Sequence, residues 1–249
     1  MISETCRVVD GKVPVFVSIS DTSFNESYVL SCYANVCGAT AMVVAPPYYL
    51  TAGQAEMKEY YEELLRIIPL PILLYNVESS SNMYIEPTTI LELCKNDKIV
   101  GLKDSSADMV YMKRVVEAVK SEKADFKLYC GKEELLFETM MLGGNGCFAG
   151  GANIFPKLYS RIYDAIAKSR LDEYKSLQSI LMEINKTIFS IGHYHSSYLK
   201  GIKCALQLMG IINDDYMAPP FRKFNEPERF KVHQGINSIR EKLEENGIQ

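Results

Sequence analysis

Six short runs of Val, Ile, Leu, Phe and Tyr recur along the chain: Val13–Ile19, Ala41–Pro46, Pro71–Val77, Ile99–Lys103, Phe126–Gly131 and Gly146–Ala152. Most are continuously apolar rather than alternating, the mark of strands buried on both faces. Between them, apolar residues return every third or fourth position. In Glu56–Ile67 and just beyond they are Met57, Tyr60, Tyr61, Leu64, Leu65 and Ile68, one stripe of a helix. Pro87 opens a further helix at its first turn, which Leu91–Cys94 continues. Met109–Val119 and Glu133–Leu142 follow the same pattern. Strand starts lie about 20–30 residues apart, the length of one strand–helix unit. Strands that alternate with helices imply a parallel sheet.

From Pro156 the strand signal stops. Lys157–Lys168, Leu171–Ile191, Ser197–Met209 and Glu226–Leu243 read as helices, with Asn213–Asn225 a turn-rich connector. No flexible linker divides the chain. The expectation is one α/β domain: a (β/α) portion over residues 1–156, and C-terminal helices over 157–249 packed as part of it. An open doubly wound sheet and a (β/α)8 barrel both accept this order. The first strand is followed by Ser18-Ile19-Ser20-Asp21-Thr22-Ser23, which has no glycine and therefore no phosphate-binding turn. The barrel places functional groups at the C-terminal ends of its strands, and polar or small residues stand there repeatedly: Tyr48 and Tyr49, Tyr75 and Asn76, Lys103 and Asp104, Gly131, Gly150 and Gly151.

Composition narrows the function classes. With 47% apolar residues in 249, a sizeable core is within reach. A net charge of −4 argues against a general nucleic-acid binder. No apolar run reaches the roughly 18 residues of a membrane span, and the first residues lack the basic and apolar regions of a signal peptide. The seven cysteines are odd in number and none are spaced as C-x-x-C, so neither a disulfide framework nor a zinc site is expected. A cytoplasmic setting fits these features. His193 and His195 lack the further ligands of a metal site. Lys200 and Lys203, and the basic group Arg222, Lys223, Arg229 and Lys231, are expected on solvated surface.

The chemistry centres on Lys103, which ends the buried run Ile99-Val100-Gly101-Leu102. Desolvation disfavours the ammonium form of a lysine, and an amine pushed toward neutrality is what a Schiff-base enzyme needs. Tyrosine donates and accepts a proton through one hydroxyl. Glycine lets a substrate approach the backbone closely.

Five motifs then stand in one order: Ala45-Pro46-Pro47-Tyr48-Tyr49, Leu74-Tyr75-Asn76-Val77, Gly101-Leu102-Lys103-Asp104-Ser105-Ser106, Cys130-Gly131-Lys132-Glu133, and Gly150-Gly151-Ala152-Asn153-Ile154-Phe155-Pro156. In this order and spacing the chain resembles the dihydrodipicolinate synthase / N-acetylneuraminate lyase family of class I aldolases. The resemblance implies a (β/α)8 TIM-barrel fold, here incomplete with six strands, and a C-terminal helical extension. It implies a lyase that makes or breaks a carbon–carbon (or carbon–oxygen) bond beside a pyruvate-like 2-oxo acid. Lys103 would form the imine and Tyr75 would relay protons. Tyr49 would reach a neighbouring subunit's site in a homo-oligomer, dimer or tetramer. Gly131, Gly150, Asn76 and Ser80 would line the substrate. Neither cofactor nor metal is implied, and neither nucleic acid nor membrane is an expected partner.

Two departures bear on that reading. Met1–Gly11 resembles the family's second helix, so the first two βα units, about 60 residues at roughly 30 per unit, have no counterpart. The G-T-T-G-E motif of the second strand goes with them. Six strands cannot close an eight-stranded barrel. The expected explanations, in order, are a fragment, an exchange of elements between subunits, and a non-catalytic binding or scaffolding protein. The second departure is the loop Val77-Glu78-Ser79-Ser80-Ser81-Asn82. It lacks the proline and the following arginine of dihydrodipicolinate synthase, of which the arginine serves the acidic substrate, and this favours a sugar-acid or other 2-oxo-acid substrate.

Overall fold

The computed structural model describes residues 1–248, which divide into two compact units, Met1–Phe148 and the chain from Ala149 on. The first unit is a strand–helix alternation. Its strands are β1 (Phe16–Ser18), β2 (Ala41–Val44), β3 (Ile72–Asn76), β4 (Ile99–Asp104), β5 (Lys127–Cys130) and β6 (Gly146–Cys147). Its helices are α1 (Ile2–Val9), α2 (Phe24–Val36), α3 (Gln54–Ile67), α4 (Glu78–Ser81), α5 (Pro87–Leu93), α6 (Met109–Val119) and α7 (Leu136–Met141). Every strand pairs in parallel with the next, in the order β1-β2-β3-β4-β5-β6. All C-terminal strand ends therefore face one way, and the side chains there converge.

The sheet is curled. In a flat sheet of six strands the outer two would lie about 24 Å apart, at roughly 4.8 Å per spacing. Here the ring of Phe16 on β1 meets that of Phe148, just past β6, with centroids 5.7 Å apart. The fully buried Met42, Val44, Ile72, Leu74, Ile99 and Leu102 come from the strands, and Met57, Leu64, Ile90 and Val115 from the helices over them. At about 25 cal/mol per Å² of apolar surface buried, this cluster is the main stabilising term of the unit. Gly101 is held to hydrogen at its α-carbon, because a Cβ would lie 2.2 Å from the Lys127 carbonyl oxygen on β5.

Three elements differ from the sequence expectation. The run Gly146–Ala152 holds only a two-residue strand, after which Gly150–Asn153 turns into a 3₁₀ helix. The serine-rich loop after β3 winds into α4, where the buried Ser81 Oγ donates to the carbonyls of Val77 at 3.1 Å and Met83 at 3.0 Å. α2, which the apolar spacing does not predict, has inverted polarity. It buries Ser27, Ser31 and Ala34, while Val29, Tyr33 and Val36 stay exposed, so no apolar stripe marks the face that packs.

The second unit is helical, built of α8 (Pro156–Ala167), α9 (Leu171–Ile184), α10 (Ser197–Leu208) and α11 (Glu226–Glu245). The long helix expected over Leu171–Ile191 ends at Ile184 and continues as a π turn, Asn185–Phe189. α10 crosses this turn closely: a Cβ on Gly201 would lie 2.3 Å from the Ile188 carbonyl oxygen. The expected basic surface group divides. Arg229 pairs with the buried Asp215, whereas Arg222 remains exposed. Lys200, expected at the surface, is instead buried at 8% exposure. No helix among the described residues is long and apolar enough to cross a membrane.

Candidate active site

Strand register assembles the site. Tyr75 on β3, Lys103 on β4 and Tyr129 on β5 are paired in one row across the sheet. In a parallel sheet, residues in register point to the same face. The Lys103 Nζ lies 3.9 Å from the Tyr75 ring centroid and 5.3 Å from that of Phe148. The Phe148 ring also meets Tyr129 edge-on, with centroids 5.2 Å apart. Lys103 is half-buried, and among the described residues no carboxylate lies within ion-pair distance of its ammonium. Aromatic faces stabilise a nearby cation.

The Tyr75 hydroxyl accepts a hydrogen bond from Ser105 Oγ at 3.3 Å. Gly131 leaves the space for this serine, because a Cβ at position 131 would lie 1.9 Å from Ser105 Oγ. The backbone locks the same corner. Gly131 N–H donates to the Asp104 carbonyl at 2.6 Å, and Ser105 N–H to the Asn76 carbonyl at 2.9 Å.

Asn76 and Asp104 point away from the lysine and tie the strand ends together. Asn76 is fully buried. Its Nδ2 donates to Asp104 Oδ1 at 2.8 Å, and its Oδ1 accepts from Ile85 N–H at 3.1 Å. Ser106 Oγ donates to Asp104 Oδ2 at 2.9 Å. Burial pushes the Asp104 carboxyl above the usual range, and the hydrogen bonds from Asn76 and Ser106 oppose that shift without cancelling it.

Beside Tyr75 lies a hollow of about 190 Å³, lined also by Ser18, Ser20, Tyr48, Ser80 and Ser81. Ser20 and Ser81 already serve the backbone, through Ala45 N–H and the Val77 and Met83 carbonyls. Ser18, Tyr48 and Ser80 make no side-chain hydrogen bond among the described residues, and no lysine, arginine or histidine lines the hollow. Tyr49 is 88% exposed and holds φ of +85°, a region that an aromatic residue rarely occupies. Among the described residues it makes no hydrogen bond or ring contact. Gly150 belongs to the second unit, where it lies under Tyr198: a Cβ there would be 2.1 Å from the tyrosine oxygen.

Of the residues singled out in the sequence, Lys103, Tyr75 and Gly131 come together, Ser80 lines the adjoining hollow, and Asn76 is structural in its contacts. The structure adds Ser105, Phe148 and Tyr129 to this group. Tyr129 follows from register once the strands are paired. The roles of Ser105 and Phe148 depend on the curl of the sheet, which no local pattern reveals.

Residues 1–239 of the chain match the model of a known family, the dihydrodipicolinate synthetase family. The chain belongs to that family. It is 30% identical over 234 residues to the probable 2-dehydro-3-deoxy-D-pentonate aldolase YjhH of Escherichia coli K12, covering 94% of this chain and 76% of that protein. Among solved structures, the dihydrodipicolinate synthase of Bacteroides thetaiotaomicron aligns with a TM-score of 0.91 and 45% identity, over 96% of this chain and 79% of that one. YagE of E. coli K12, solved in complex with pyruvate, aligns with a TM-score of 0.88 and 24% identity over the same shares, a likeness of fold. Family members thus carry both synthase and aldolase names, and the first unit has the curled parallel sheet of their barrels.

Proposed function

We propose that this protein is a class I aldolase whose Lys103 forms an imine with a pyruvate-like 2-oxo acid. The supporting observation is the Lys103 amine lying 3.9 Å from the ring of Tyr75 with no carboxylate to hold it charged. The neutral Nζ adds to the C2 carbonyl carbon of the substrate. The carbinolamine then loses water to give the imine, with the departing hydroxyl protonated through Tyr75. In the cleavage direction, the C4 hydroxyl gives its proton to the Tyr75–Ser105 relay and the C3–C4 bond breaks. An aldehyde leaves, and the electron pair is held on the imine as an enamine. Protonation at C3 and addition of water then return pyruvate and the free lysine. Such positioned acid–base help contributes typically 10²–10⁴-fold in rate.

The substrate is read as a 2-oxo acid with a hydroxylated tail, of the 2-dehydro-3-deoxy sugar-acid class named for YjhH. The hollow beside Tyr75 offers hydroxyls and no cation, which suits neutral alcohol groups better than a second carboxylate. Phe148 closes over Lys103 and limits water around the imine. The working form is read as a homo-oligomer in which the exposed, strained Tyr49 reaches a neighbouring copy's site. Strain of this kind, on the order of 1–3 kcal/mol, is retained where function holds it.

Borohydride trapping with pyruvate, followed by peptide mass spectrometry, tests this. Hydride reduction of the imine should leave a stable secondary amine on Lys103, absent from K103R. A folded protein with no adduct would sink the aldolase reading and favour a non-catalytic binding or scaffolding role.

A further inference from the structure

The second unit holds another lysine with no acid beside it. Lys200 lies in the first turn of α10, 8% exposed, with its Nζ 3.7 Å from the Tyr194 ring centroid and 5.7 Å from that of Phe224. Among the described residues, its ammonium has neither a hydrogen-bond acceptor nor an ion-pair partner. A charge this buried is normally paired, and ring faces supply only part of what water or a carboxylate would.

One turn earlier stands Ser196, 7% exposed, whose hydroxyl has no partner among the described residues either. No side chain caps the start of α10. Ser196 and Lys200 both line a hollow of about 360 Å³ that also receives Arg222 and Lys223. Arg222 is exposed and uncommitted. Lys223 leans toward Asp215 at 3.7 Å. The one carboxylate lining the hollow, Glu228, is already engaged, accepting from Tyr194 Oη and Asn225 N–H at 3.0 Å each. Two free cations, a free hydroxyl and the positive end of a helix dipole therefore face one space.

We propose that this hollow is a binding site for a phosphate monoester or phosphate dianion, held by Lys200, Arg222 and Ser196. Charge decides the class. A carboxylate would neutralise one of the two free cations, whereas a phosphoryl group carries about −1.5 to −2 near neutral pH. Its several oxygens also suit a hydroxyl, an ammonium and a guanidinium together. The site lies wholly within the second unit, and the proposal does not rest on imine formation at Lys103.

Titration calorimetry on the full chain at low salt tests it, with inorganic phosphate, ribose 5-phosphate and, as carboxylate control, glycerate. The expected result is saturable binding of the phosphoryl compounds, tighter than glycerate. R222Q and S196A should weaken it, and K200M should weaken it about tenfold or more, the scale of one lost charge-assisted contact. Tighter binding of ribose 5-phosphate than of phosphate would assign the site to a phosphorylated metabolite, and equal binding to the phosphoryl group alone. R222Q alters an exposed side chain and tests the site even if K200M fails to fold. Absence of saturable binding, equal affinity for glycerate, or loss of binding in K103M rather than R222Q would each overturn the proposal.

Discussion

Lys103 and Lys200 have nearly the same immediate contact. Each ammonium lies over a tyrosine ring, at 3.9 and 3.7 Å, with a phenylalanine as second wall and no carboxylate partner. Their settings differ. Lys103 stands at a strand end, beside a tyrosine whose hydroxyl carries a serine donor. Lys200 stands in the first turn of a helix, beside a tyrosine whose hydroxyl is bound to Glu228 and among further cations. The first setting, as proposed, offers a proton path to a nucleophile. The second, as proposed, offers positive potential to an anion. A buried lysine over an aromatic ring does not by itself specify chemistry, and its second neighbours do.

The largest effect should separate the two lysines. K103M should abolish aldol cleavage by about 10⁴-fold or more, because the covalent step has no other amine. Addition of a primary amine to K103M should restore none of the trapped peptide, since the bond to the chain is gone. An equal loss in trapping from K200M, with K103M still trapped, would reverse the assignment of the two sites.

Next comes the relay. Y75F keeps the ring under the Lys103 ammonium and removes only the hydroxyl. It should lower kcat by roughly 10²–10⁴-fold with little change in KM. If the ring alone mattered, Y75F would behave as wild type. S105A acts through Tyr75 and should cost less, about 10-fold or below, and it should move the pH profile of kcat as the tyrosine loses its donor. S105T, which keeps the hydroxyl, should recover part of the loss. G131A should resemble S105A in its profile, since a methyl at 131 would occupy the place of Ser105 Oγ. It should add a stability cost of about 1–3 kcal/mol from overpacking.

Much of the first unit was legible from the chain, and the reason is physical. Strands buried on both faces leave continuous apolar runs, and Met109–Val119 carries both its stripe and its cap, with Asp108 accepting from Val110 and Tyr111 N–H. The strand-end positions of Lys103 and Tyr75 were legible because each stands near the end of such a run. α2 was not, because small residues form its packed face. Ser105 and Phe148 were not, because their partners come from other strands through the curl of the sheet. Lys200 was expected at the surface because two lysines three residues apart on a helix usually mark a wet face. The aromatic walls that bury it come from Tyr194 and Phe224, outside its own helix.

The smallest expected effect concerns the frame behind Lys103. Asp104 has its folded pKa raised, mainly by burial. The native state thus holds this proton more tightly than the unfolded chain does. The associated stability is fully present below the ordinary aspartate value of about 3.9 and is lost as pH rises through the raised folded value. D104N stays uncharged and keeps an oxygen for Asn76 Nδ2. Its stability, followed by urea unfolding from pH 3.5 to 7, should fall less across that window than that of wild type. D104A leaves the Asn76 amide unpaired in the core and should cost about 1–3 kcal/mol at every pH. If wild type and D104N gave parallel curves, Asp104 would titrate alike in both states. The Asn76–Asp104 bridge would then be too open to water to act as the rigid frame that holds Tyr75 and Lys103 in register.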